Sequence, residues 1–346
     1  MSCSIVFNHR NFREKIALSL IFRKKIKINK IRNNEVLPGV KNFELDILCL
    51  ADKFSSGSII KINEKGTIID FFPGIIEKQK IEHTSTSFRS LSYYLEFIIY
   101  LILNSNKRNE IKLTGIRSGS IDISLENILY VSIPLVRKLG LRDIRFKVYS
   151  CLFSSLYNTE IIIFFPKLQI KKQFTLINVG EINKIRIVNT YSQRNILTKN
   201  DIEVFLEKYL YYFNFDIKIL DLKIANENFN FQTTTIISET TEGCLFGEDI
   251  TYTFNKNKSI NWNKMLIKVL NALFEDIYSG SCIDKKNHII LLMKMLHNGI
   301  KNNSIARFGK LSFSDVIFFR DLKKISGIIF SIRFNFAVKA FLIKLT

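Results

Sequence analysis

The chain of 346 residues carries 51 Lys plus Arg against 31 Asp plus Glu, a formal charge of +20 at neutral pH, and 47% of its residues are hydrophobic. That apolar content excludes a wholly disordered protein, and 14 Gly with 4 Pro exclude collagen-like and Gly/Pro low-complexity architectures. The length points to two domains or one large composite domain.

The longest apolar runs, such as Phe97 to Leu103, stop far short of the roughly 20 residues that cross a bilayer, so no membrane span or membrane partner is expected. Residues 1–12 contain Asn8, His9 and Arg10 and do not read as a signal peptide, which keeps the expected location inside the cell. The five cysteines, Cys3, Cys49, Cys151, Cys244 and Cys282, are scattered and form no Cys-x-x-Cys pair. Neither a disulfide framework nor a zinc site is expected, and no metal or cofactor is assigned. Part of the basic charge follows from a composition rich in Lys, Ile, Asn and Phe, but its clustering carries information. Residues 1–36 hold Arg10, Arg13, Lys15, Arg23, Lys24, Lys25, Lys27, Lys30 and Arg32 against only Glu14 and Glu35. An acidic partner follows, with nucleic-acid phosphate and an acidic protein surface both open.

In chain order, residues 12–22 have helical spacing, and Lys25 to Asn29 alternates like a half-buried strand. Pro38-Gly39 breaks the chain and residues 42–54 resume a helix. Residues 58–62 and 67–71 predict a hairpin around Asn63-Glu64-Lys65-Gly66. A second round follows: strand 76–82, helix 88–103, strand 111–114, helix 125–139, and strands 144–149 and 160–165. Both rounds approximate βαβαββ, so the fold class expected is α/β (α+β), a large domain of repeated βαβαββ-type units.

Strand 184–190, helix 198–213, strand 216–224 and a hairpin from residues 232–238 and 243–246 read as a separate small α/β module, with Asn226 to Asn230 as its flexible loop. Helices return at 262–278, 287–298 and 314–325, with strands at 327–334 and 337–343, and this third round is like the first two. The division expected is 1–180 for the first two repeats, 181–255 for the insert and 256–346 for the third repeat.

Six segments then line up in order. They are Leu37-Pro38-Gly39-Val40; Glu82-His83 leading to Arg89 and Tyr93-Tyr94-Leu95-Glu96; Gly115 to Asp122; Glu239-Thr240-Thr241-Glu242-Gly243; Ile277 to Asp284; and Phe319-Arg320-Asp321-Leu322-Lys323. Taken together they resemble the RNA 3′-terminal phosphate cyclase superfamily, in particular its eukaryotic ribosome-assembly branch. The resemblance implies three repeated units with a small inserted α/β domain, as periodicity had suggested. It also implies a ribosome biogenesis factor of the small-subunit processome in the nucleus and nucleolus. Such a factor would act in pre-ribosomal RNA processing with the U3 ribonucleoprotein (U3 snoRNP) and a ribosome-assembly GTPase.

Cyclases of the superfamily carry a glycine-rich N-terminal loop and a histidine near the C-terminus that is adenylylated. Here the loop position is His9-Arg10-Asn11-Phe12, without the glycines that let backbone amides approach a phosphate. No histidine follows His297, and residues 312–317 occupy the matching segment without one. Serine or aspartate cannot replace imidazole in forming a phosphoramidate, so cyclase activity is expected to be lost. His83 reads as a packing histidine, and His288 and His297 are off metal-binding spacing. The acid pairs Glu248-Asp249 and Glu275-Asp276 read as solvated charges. Arg320, Asp321 and Lys323 give the alternative, a pre-ribosomal RNA endonuclease, in which Arg320 and Lys323 would hold a phosphate and Asp321 would act as a base. The resemblance also brings Arg10, Arg13, Arg89 and Arg117 to the former phosphate cleft as candidates to bind an anion or RNA.

Overall fold

The computed structural model describes residues 4–105, 107–150, 159–167, 173–192, 197–210, 216–223, 231–253 and 261–345. The first unit contains β1 (Ile5–Phe7), α1 (Phe12–Phe22), β2 (Ile26–Ile28), α2 (Asn42–Phe54), β3 (Ser55–Ser56), β4 (Ile59–Ile62), β5 (Ile69–Phe72) and β6 (Ile75–Ile76). The second contains β7 (Lys80–Thr84), α3 (Leu91–Ile102), β8 (Asn109–Gly115), α4 (Leu125–Asn127), a π turn (Ile128–Ser132), α5 (Ile133–Lys138), β9 (Arg145–Ser150) and β10 (Thr159–Phe165). After β11 (Thr175–Leu176) come β12 (Ile182–Tyr191), α6 (Lys199–Leu210), β13 (Asp216–Lys223), β14 (Phe231–Thr240), β15 (Leu245–Thr253) and α7 (Trp262–Tyr278). The chain closes with α8 (His288–Asn298), β16 (Ile305–Phe308), α9 (Phe313–Ser326), β17 (Phe330–Asn335) and β18 (Ala340–Leu345).

Three sheets share one plan. Their orders are β1-β2-β5-β4, β7-β8-β10-β9 and β11-β16-β18-β17. In each, the first two strands are parallel and the remaining contacts are antiparallel. Helices α1, α3 and α8 fill the space between the inner faces. Every residue of α3 is buried, as an apolar helix without a polar face requires. The opposite faces of the sheets point outward, which explains the strict alternation of buried and accessible residues along β8 and β10.

Local chemistry accounts for several features. Gly39 has a φ of 91°, and a Cβ there would lie 2.4 Å from the Lys65 carbonyl oxygen, so the turn before α2 can rest on the β4–β5 hairpin only with glycine. The predicted single helix over 125–139 is interrupted by the π turn immediately before Pro134, whose ring cannot accept the regular spacing of the preceding turn. Ser312 and Asp315 form a reciprocal capping box that starts α9.

The fourth sheet, β13-β12-β14-β15, has its own core, in which Ile185, Ile187, Ile236 and Phe246 meet Phe205 and Leu206 of α6. Leu266, Val269, Leu270 and Leu273 of α7 belong to this same cluster. That corrects the expected boundary at residue 255 and the placement of 262–278 in the third repeat, because an amphipathic pattern reports that a helix packs but not on which sheet. The Asn226–Asn230 segment, Cys3 and Cys151 lie outside the described residues.

Leu273 is fully buried, and Leu273→Ala is expected to cost about 2–5 kcal/mol. Hydrogen exchange should show the lost protection in β12, β14, β15 and α6, with α3 unaffected. Faster exchange in α3 alone would place α7 in the main core instead.

Candidate functional site

Side-chain contacts draw four loops to one end of the core: residues 8–11 before α1, 85–90 after β7, 116–124 after β8, and the start of α9. Asn11 donates through Nδ2 to the Ser314 carbonyl at 2.9 Å and accepts from Ser314 Oγ at 2.8 Å. Ser90 bridges Ile116 in parallel. Arg89 Nε donates to Asp122 at 2.8 Å, and its Nη2 contacts the other carboxylate oxygen.

Of the four candidate arginines, Arg13 and Arg89 come together. Their guanidinium carbons lie 4.6 and 4.2 Å from the centroid of the Tyr93 ring, well inside one screening length of about 10 Å. Each is already matched by a carboxylate of this chain. Arg13 bonds Glu96 at 2.6 Å and the Tyr93 carbonyl at 2.9 Å, with Glu14 at 3.2 Å. Burial opposes the Arg13 charge, but Glu96, Tyr100 and Glu14 outweigh it and hold the guanidinium well above its ordinary pKa. Burial raises Glu96 even with Arg13 beside it.

Arg117 is buried and donates twice to Glu126, at 2.8 and 3.1 Å. Arg10 is exposed over the Phe313 ring at 5.2 Å and makes no ion pair among the described residues. The expectation that these arginines need an external counter-charge is therefore met internally for three of the four. Sequence reasoning missed the partners Glu126 and Asp122, and also Arg32, which forms a two-pronged pair with Glu44 at 2.7 and 2.8 Å. The acids were legible as residues, but nothing in their spacing paired them with particular arginines.

On α9, Arg320 and Lys323 are exposed and share the outer side. Asp321 is turned inward to Lys15, 3.3 Å away, so the expected constellation of three is divided between two sides of the helix. The Lys15 ammonium also donates to the Asn8 carbonyl at 3.1 Å, to Asn8 Oδ1 at 3.0 Å and to the Arg10 carbonyl. Burial lowers Lys15, and burial pushes Asp321 up to about 6 against the pull of Lys15. The groups of this pair hold a loop rather than face an open site.

His83 is buried beside Tyr94, 3.8 Å from Asp46, and burial drives its pKa down to about 4. It is a neutral packing group, as its sequence context implied. His288 Nδ1 meets Asp315 at 2.9 Å in the core. Among the described residues no group of three or more His, Cys, Asp or Glu could hold a metal ion.

Glu275 is exposed, as expected of a solvated charge, but the other three acids of the two pairs are engaged. Asp249 accepts from Ser124 N and Asn127 Nδ2, both at 2.9 Å, and pairs with Lys286 at 2.7 Å. Glu248 meets the same lysine at 2.8 Å, and Asp276 pairs with Lys285 at 2.7 Å. These contacts fasten the fourth sheet and α7 to the rest of the molecule, a long-range role that neighbouring acids in a sequence do not reveal.

The Asp321 shift has a testable sign. Its folded pKa lies above the ordinary unfolded value of about 3.9, so its contribution to stability is full below that value and lost as pH rises through about 6. The difference in unfolding free energy between wild type and Asp321→Asn should therefore fall by roughly 2–3 kcal/mol from pH 4 to 7. Urea denaturation at four pH values measures it, and a constant difference would remove the shift.

The family model described as RNA 3′-terminal phosphate cyclase matches residues 8–332. The chain is 28% identical over 338 residues to the "Probable RNA 3′-terminal phosphate cyclase-like protein" of Dictyostelium discoideum, covering 93% of this chain and 91% of that one. It is 28% identical over 341 residues to the "RNA 3′-terminal phosphate cyclase-like protein" of Bos taurus, covering 95% and 90%. Against the "rRNA processing protein RCL1" of Saccharomyces cerevisiae it is 34% identical over 134 residues, 39% of this chain and 36% of the other. With a match running from the loop before α1 into β17, the chain belongs to the RNA 3′-terminal phosphate cyclase family.

Proposed function

We propose that the protein is a non-catalytic ribosome biogenesis factor that acts in ribosomal RNA processing in the nucleus and nucleolus. The finer reading is membership of the small-subunit processome, with the U3 snoRNP and a ribosome-assembly GTPase as partners. Relatives carrying rRNA-processing and cyclase-like names support the role in rRNA processing. The observation that carries the non-catalytic part is that Arg13, Arg89 and Arg117 are bound to Glu96, Asp122 and Glu126. A phosphate at this cluster would compete with these carboxylates for the guanidinium donors. The sequence adds that no histidine follows His297.

The endonuclease alternative needs Asp321 beside Arg320 and Lys323 on an accessible surface, and its contact with Lys15 speaks against that. Two measurements test the proposal. Incubating the purified protein with labelled ATP and a divalent metal is expected to leave the protein unlabelled, and a covalent adenylate would overturn the reading. In cells depleted of the native protein, precursors of small-subunit rRNA should accumulate, and the double variant Arg320→Ala with Lys323→Ala should restore processing to the wild-type level. A folded double variant that blocks cleavage would favour the endonuclease.

A further inference from the structure

Outside the loop cluster, the outward face of the second sheet combines features that the other sheets do not. Period-two alternation and the strand register place Arg145, Lys147 and Tyr149 of β9 on this face, opposite Phe164, Ile162 and Glu160 of β10. Phe164 is 38% exposed and Tyr149 45% exposed. An open groove of about 820 Å³ runs along one end of the face. It presents five cations, Lys80, Arg108, Arg145, Lys147 and Lys167, against two carboxylates, Glu110 and Asp143. Lys80 pairs loosely with Glu82 at 3.8 Å, while Arg108, Arg145, Lys147 and Lys167 make no ion pair among the described residues.

The aromatic groups are equally unengaged. On the first sheet Phe72 is covered by Lys25 at 4.1 Å and Lys61 at 5.8 Å. On the third, Phe334 packs against Phe336 and Phe341, each at 5.0 Å between centroids. Phe164 and Tyr149 have no ring or cation partner among the described residues. They stand at opposite ends of the strand pair, about 13 Å apart along it, with Lys147 between them.

We propose that this face binds single-stranded RNA, with bases stacked on Phe164 and Tyr149 and backbone phosphates on Arg145, Lys147 and the groove cations. Exposed cations without an internal partner attract an anion, and exposed rings on an open four-stranded sheet offer a stacking surface to an unpaired base. A duplex buries its bases and cannot use those rings. An acidic protein segment would use the cations but gain little from the rings. The surface is separate from the loop cluster, and the assembly role does not require the chain to touch RNA.

The test uses the full chain and a fluorescently labelled single-stranded RNA of 12 mixed nucleotides, with anisotropy read at several salt concentrations, about 50–200 mM. Phe164→Ala is expected to weaken binding about tenfold, while Phe164→Tyr, which keeps a stacking ring, should bind like wild type. The double change Arg145→Gln with Lys147→Gln should lower the salt slope by roughly 1.4, and Lys61→Gln on the first sheet should leave Phe164 dependence intact. Thermal melting confirms that each variant is folded. Absence of wild-type binding, or equal binding by Phe164→Ala, would overturn the proposal. So would complete displacement by poly-glutamate at equal charge, which would assign the face to an acidic protein. None of these results alters the adenylation or depletion outcomes that test the assembly role.

Discussion

A carboxylate on a helix with no exposed side sets the terms for the centre of this molecule. Helix α3 lies between α1 and α8, and Glu96 sits in its middle. Leaving such a charge unpaired costs several kcal/mol, and removing one partner of a buried pair costs about 3–5 kcal/mol. Arg13 answers it from the first turn of α1, threading between the rings of Tyr93 and Tyr100. Once Arg13 is placed, the loop before α1 is placed too, and its carbonyls collect Lys15, which in turn draws Asp321 inward from α9. The geometry of this loop cluster is therefore held by carboxylates of the chain itself.

This arrangement changes what the charge of the protein means. The chain is strongly basic, yet Arg13, Arg89 and Arg117 are cancelled where they stand by Glu96, Asp122 and Glu126. The exposed cations, spread over helices, loops and sheet faces, act at longer range and are screened by salt.

Much of the fold was legible in the chain. Residues 12–22, 42–54 and 262–278 carry enough turns for the helical period to show, and the structure has helices over those spans. Strands β1, β11 and β16, of three, two and four residues, went unread. The site was legible as a set of positions but not as a set of pairs. Asp321 illustrates why: spacing on a helix fixed its relation to Arg320 and Lys323, but its true partner lies on another helix far away in sequence. The same limit hid the fastening role of Asp249.

The two ends of the chain interlock. Asn11 meets Ser314, Lys15 meets Asp321, and the Val6 carbonyl accepts from Lys324, across gaps of about 300 residues. A ribosome adding about 5–20 residues per second delivers α9 tens of seconds after β1 and α1 have emerged. During that interval the first unit can pack its apolar faces, but the loop before α1 has no anchor and Lys15 lacks its distant carboxylate. Closing so long a loop is slow relative to local helix packing. A segment that leaves the ribosome hundreds of residues before α9 is thus among the last to acquire its final shape, and truncation at α9 would leave a defect in the loop before α1.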